Sequence, residues 1–196
     1  MVAFERKKVK LDCNTKFKNS TSPLDNHNVS DFWKWAYSDL LQNTTRGVLA
    51  EYIVAVLLNV DNTPRNPWLP FDLRLKDGTT VEVKTMSRLQ AWAQKQLSEP
   101  KVVISEKRSW DPDTGIMEQN PSLNADIYVI CYFTSEDHSD ADPLNLDQWN
   151  FFVLDKKEVA DVLKKSKSIS LKALNKMNKR SLKAHELPSE VSSLAK

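Results

Sequence analysis

Glycine is scarce in this 196-residue chain, with only Gly47, Gly78 and Gly115. Three isolated glycines cannot build a phosphate-cradling loop or a G-x-S-x-G nucleophile elbow, so nucleotide-fuelled and serine-hydrolase chemistry are disfavoured. The three histidines, His27, His138 and His185, are scattered and form no H-E-x-x-H pair. Cys13 and Cys131 lie far apart without a C-x-x-C spacing, which argues for free thiols over zinc or a redox pair. No apolar run approaches the roughly 18 residues of a membrane span, and the opening MVAFERKKVK has no apolar signal region behind its charges. The expectation is a soluble, cytoplasmic protein of one domain over 1–196, with an irregular segment at 1–28 and a frayed tail at 184–196.

Charge is balanced overall and uneven along the chain. The net charge is +2, yet residues 156–183 hold ten Lys or Arg against Glu158 and Asp161, while residues 136–147 hold five acids. The basic stretch suits either a polyanion partner or a plain solvated helix face.

Apolar periodicity and turn residues give the element order. Ser30 or Asp31 can cap a first helix through Tyr37, and a second starts at Thr44 or Thr45. The body of that second helix, GVLAEYIVAVLLN, is apolar nearly all round and is expected to be sandwiched between layers. Strands are predicted over 71–75, 79–85, 102–104, 127–133 and 149–154, with helices over 87–97 and 156–165 and an irregular stretch over 106–124. Helices around a mixed sheet make a three-layer α/β/α fold, with at least one antiparallel pair.

The hairpin register decides which side chains share a face. A two-residue Asp77-Gly78 turn mixes apolar and charged residues on both faces. A three-residue Lys76-Asp77-Gly78 loop, with Gly78 left-handed, sets Leu73 opposite Val81 and Asp72 opposite Glu82. One face then carries Phe71, Leu73, Leu75, Val81 and Val83, and the other carries Asp72, Arg74, Thr80, Glu82 and Lys84. Opposed carboxylates at Asp72 and Glu82 repel unless a cation or proton lies between them. Lys84 and Arg74 can supply it in a surface salt-bridge ladder. Glu51 repeats the misfit as the only charge in Gly47–Asn59, six or seven positions into its helix and too late for a capping box. A buried bridge to Arg46 or Lys84 is its bland alternative. Hard oxygen ligands of this kind suit Mg²⁺ or Mn²⁺ beside a phosphodiester.

Glu51 on an early helix, then Pro70-Phe71-Asp72, then Glu82-Val83-Lys84 resembles the PD-(D/E)XK nuclease superfamily, whose fold is restriction-endonuclease-like. The likeness is strongest over residues 44–105, and it departs from the pattern where Phe71 stands in place of the proline immediately before Asp72. The resemblance implies a Mg²⁺- or Mn²⁺-dependent endonuclease acting on DNA. Asp72 and Glu82 would ligate the metal, the Val83 carbonyl would be a further ligand, and Glu51 would bind directly or through water. Lys84 would orient the attacking water or stabilise charge growing on the phosphate. Related nucleases often form homodimers to cut two strands, and often place a glutamine after the lysine strand. Gln90 fits that supporting role, or equally a Ser87-x-x-Gln90 capping box. Gln94, Arg88 and Lys95 carry less weight. Trp92, Trp33 and Trp35 are expected in the core. The competing reading is a non-catalytic binding module on the same scaffold, against which the joint presence of Asp72, Glu82 and Lys84 argues.

Overall fold

Helix α1 (Val29–Tyr37) begins at Asn28, whose side chain accepts a hydrogen bond from Asp31 N at 3.2 Å while Asp31 Oδ2 accepts from Asn28 N at 3.0 Å. This reciprocal capping box makes Asn28 the cap, where Ser30 or Asp31 was expected. Helix α2 (Asn43–Leu57) starts one residue before the predicted Thr44, because the Gln42 side chain accepts from Thr45 N at 2.8 Å. These positions come from a computed structural model that describes residues 9–18, 24, 26–110 and 115–195. The expectations for residues 1–8, 19–23, 25, 111–114 and 196 lie outside the described residues.

The architecture is mixed α/β. A four-stranded sheet runs in the order β1 (Leu73–Arg74), β2 (Thr80–Ser87), β4 (Ile127–Phe133), β5 (Trp149–Asp155). β1 and β2 are antiparallel, β2 and β4 parallel, β4 and β5 antiparallel. A separate antiparallel ribbon joins β3 (Lys101–Val103) to β6 (Ser168–Ser170). β4 is buried at all seven positions, as its unbroken apolar run IYVICYF demands of a central strand.

Each face of the sheet owns a core. On one, Val81, Val83, Val129, Phe151 and Val153 pack against Ala50, Ile53 and Val54 of α2 and against Leu187 and Val191 of α5 (Leu187–Leu194). On the other, Met86, Tyr128, Ile130, Phe152 and Leu154 meet the ribbon, Val159 of α3 (Lys156–Leu163) and Leu174 of α4 (Leu171–Lys176). The tail expected to fray is therefore a docked helix, with Leu187 and Val191 buried in the core. Among the described residues, no helix is long and apolar enough to cross a membrane.

Three further expectations change. Helix α2 is not sandwiched: its inner face is buried, while Tyr52 and Val56 on the outer face are 58% and 42% exposed. The 87–97 segment is not helical. β2 continues to Ser87, and Gln94 then clamps a loop, accepting from Gln90 N at 2.7 Å and donating to Arg88 O at 3.1 Å and Ser98 Oγ at 3.0 Å. One side chain thus satisfies backbone groups that helical bonds would otherwise take. Trp92 is consequently presented to solvent, and on α1, which buries none of its residues, Trp33 and Trp35 are exposed as well.

Candidate active site

The hairpin adopts the three-residue register, with Leu73 opposite Val81 and Arg74 opposite Thr80. Leu75 N donates to Thr79 O at 2.8 Å, closing the Lys76-Asp77-Gly78 loop, and Gly78 sits at φ 89, a conformation that side chains with a Cβ rarely adopt. Leu73 and Leu75 join the α2-side core beside Val81 and Val83. Phe71 does not share that face. It is buried in the opposite core and lies under Arg74, whose guanidinium carbon is 4.7 Å from its ring centroid. The alternation breaks because β1 is only two residues long and residues 71–72 form a bend.

That bend puts Asp72 at the sheet edge. Its backbone N–H still donates to Val81 O at 3.0 Å, but its Oδ2 accepts from Val83 N at 2.8 Å, the bond that a longer β1 would make with a carbonyl. The N–H and C=O of one extended residue point the same way, so the Val83 carbonyl faces this edge too. Burial pushes the Asp72 carboxyl up to about 7, assisted by the charges of Glu82 and then Glu51, and opposed by the Val83 N–H and Lys84. Both predicted acidic neighbours are thus close enough to act on Asp72.

Glu82 is buried and points from β2 to the side opposite α2, with Lys84 two positions on. Lys84 Nζ contacts Glu82 Oε1 at 2.5 Å, and Lys107 Nζ approaches the same oxygen at 3.7 Å. Glu51 is held by Arg65, whose Nε and Nη2 both donate to it, the latter at 2.8 Å. Neither expected bridge of Glu51 forms. Arg46 is buried and donates instead to Leu41 O at 2.9 Å and Asn43 Oδ1 at 2.8 Å, and desolvation lowers its pKa. Gln90 is buried and turns its amide to Ser87 O at 3.1 Å, away from a capping box that has no helix to cap.

Among the described residues, no three His, Cys, Asp or Glu side chains are grouped tightly enough to hold an ion as placed. The donor chemistry nonetheless suits a hard cation: two neighbouring carboxylates, one of them raised to about 7 by burial and then by its anionic neighbours, and a backbone carbonyl on the same edge.

Two openings lie near these acids, one lined by Asp72 and Glu51 and the other by Glu82. A groove of about 1030 Å³ between α1, α2 and the 60–76 segment reaches Glu51 and Asp72, and its lining includes Trp33, Tyr37, Tyr52 and Arg65. A recess of about 60 Å³ on the Glu82 side holds Lys84 and Lys107. Sequence reasoning missed Arg65 and Lys107. The lone charge on α2 called for a cation, but only tertiary placement shows that Arg65, from the proline-punctuated loop, answers it.

No curated protein and no solved structure matches the chain. The family model described as bacteriophage T4 endonuclease IV matches residues 4–173, and the chain belongs to that nuclease family.

Proposed function

We propose that the protein is a divalent-metal-dependent endonuclease of DNA, acting in the cytoplasm, built on a three-layer restriction-endonuclease-like scaffold of the PD-(D/E)XK type. The observation that carries this reading is the sheet-edge carboxyl of Asp72, pushed to about 7 between Glu82 and Glu51 with the Lys84 ammonium alongside. Membership in an endonuclease family supports it independently.

Asp72 and Glu82 would hold Mg²⁺ or Mn²⁺, with the Val83 carbonyl beside them and Glu51 reached directly or through water. Bound there, the ion supplies Lewis acidity toward water and neutralises phosphate charge. The chain's own groups do the rest. Asp72 is fixed by the Val83 N–H, which leaves its second oxygen to face the site. Lys84, two residues from Glu82 on a rigid strand, places an ammonium where negative charge grows on the phosphate during in-line attack. Glu51 stays oriented by the two-pronged grip of Arg65.

The large groove supports a nucleic-acid substrate. Trp33, Tyr37 and Tyr52 offer aromatic faces beside Arg65, Lys10 and Arg74, the combination of stacking surface and cation that holds nucleotides. Base faces are free to stack only outside a duplex, so this lining favours a strand with unpaired bases. Single-stranded circular DNA and supercoiled plasmid, each incubated with EDTA, Mg²⁺ or Mn²⁺, test the reading. Metal-dependent cleavage that Asp72→Ala and Lys84→Ala both abolish supports it. Equal cleavage by the two variants refutes the site, and binding without cleavage under every metal returns the non-catalytic module. Nicks against paired cuts in the plasmid show whether two copies act together.

A further inference from the structure

We propose that Lys107 is a phosphate-binding residue, holding the strand's phosphate next to the one that is cut, in the recess where it and Lys84 converge beside Glu82. This rests on the nuclease reading and adds a subsite to it.

The recess is built. Lys107 N donates to Ser122 O and Ser122 N to Lys107 O, both at 3.0 Å, so the lysine backbone is fixed to a second segment. Ser122 Oγ donates to Asn124 Oδ1 at 2.8 Å, and Asn124 Nδ2 donates to Lys107 O at 3.2 Å, which locks the pair. Ser105, Ser122, Asn124 and Tyr128 add polar groups to the lining, beside the apolar Pro70, Val103 and Ile104. At about 60 Å³ the recess holds more than one water and so has room for the non-bridging oxygens of a phosphodiester.

The charge there exceeds what Glu82 needs. Lys84 already contacts Glu82 Oε1 at 2.5 Å, and Lys107 stands back at 3.7 Å with its side chain 59% exposed, against 27% for Lys84. Of the charged side chains that line the recess, two are ammonium groups and one is a carboxylate, and Lys107 is the ammonium at the exposed rim, farther from Glu82 than Lys84 is. Lys107 therefore has both the reach and the surplus charge to take an anionic oxygen without stripping Glu82 of its partner.

Position assigns the anion. Asp72 and Glu51 line the large groove, while Glu82 and Lys84 line the recess, so the acidic edge lies between the two openings. A strand seated on the aromatic groove and crossing that edge meets Lys107 next.

Binding of a fluorescein-labelled single-stranded oligonucleotide in EDTA, followed by anisotropy from about 50 to 200 mM salt, tests this in wild type, Lys107→Gln, Lys107→Arg and the remote control Lys164→Gln. Loss of one phosphate contact lowers the slope of log K against log salt by about 0.7 and weakens binding several-fold in Lys107→Gln alone. Lys107→Arg restores both, and in cleavage assays Lys107→Gln raises KM with little change in kcat. Oligonucleotides carrying one neutral methylphosphonate at successive positions locate the contact: wild type loses affinity at one position at which Lys107→Gln is indifferent. Unchanged affinity and slope in Lys107→Gln, or a loss matched by Lys164→Gln, overturns the proposal. A fall in kcat alone also overturns it, by assigning Lys107 to Glu82. Failure of the nuclease reading looks different, because then wild type itself does not cut under any metal, whatever Lys107→Gln does to binding.

Discussion

Replacing Asp72 by Asn should make the metal-free protein more stable at alkaline pH while removing its activity. The carboxyl titrates at about 7 in the folded chain against 3.8 ordinarily, with burial first and the charges of Glu82 and Glu51 next among the causes. A folded-state pKa raised in this way means that the native protein binds the proton more tightly than the unfolded chain does. Stability from this group is therefore intact below pH 3.8, falls as pH rises toward 7, and is lowest above 7. The gap corresponds to at most about 4 kcal/mol, and relaxation of a half-buried group brings the expected gain to roughly 2–4 kcal/mol. Asn keeps an oxygen for the Val83 N–H, so the hairpin bond survives. Urea denaturation of wild type and Asp72→Asn between acid and alkaline pH, with EDTA throughout, measures the difference. It should grow with pH at about 1.4 kcal/mol per unit and level off above neutrality. At alkaline pH the midpoint of thermal unfolding should rise by about 4–16 °C. Mg²⁺ at about a hundred times its Kd should recover about 2.7 kcal/mol in wild type and little in the variant. A difference that is flat or negative across this range refutes the electrostatic account of the site.

Four other outcomes are expected. Lys84→Gln should lower kcat by about 10²-fold or more while leaving DNA affinity in EDTA within a few-fold, as steady-state kinetics and anisotropy would show. A double-mutant cycle of Glu51→Gln with Arg65→Gln should give a coupling of about 1–2 kcal/mol in urea melts, since the pair is bidentate but partly solvated. Gln94→Ala should cost about 2 kcal/mol and open residues 88–98 to limited proteolysis, as four hydrogen bonds of one side chain disappear. Leu187→Ala should cost about 2–5 kcal/mol, whereas a frayed tail would give no change in the melt.

Where a segment's structure follows from its own pattern, the sequence sufficed. The apolar run at 127–133 is the central strand with the expected bounds, and the charge pattern around Gly78 allows one sensible register, which the hairpin adopts. Glu51, Asp72, Glu82 and Lys84 stand out in the sequence as charges misplaced in apolar elements, and the fold lets the charges of Glu82 and Glu51 each act on Asp72, without grouping the three carboxylates tightly. Illegible features depend on distant partners. Ser87–Leu97 has helical composition, but the Gln94 amide takes the backbone bonds. Residue type alone points tryptophans inward, yet α1, which carries Trp33 and Trp35, buries none of its residues. Leu187 and Val191 look like sparse apolar residues in a polar end until β5 supplies their surface. Phe71 crosses to the other core because strand alternation assumes a strand longer than two residues.

If Asp72 serves as proposed, the bond it accepts from the Val83 amide ties reactivity to correct assembly. One oxygen of that acid serves as a peptide-like acceptor, so the group reaches its working position only when the two strands align as they should. A molecule whose hairpin slipped by a single residue would turn the acid away from its companions and be inert.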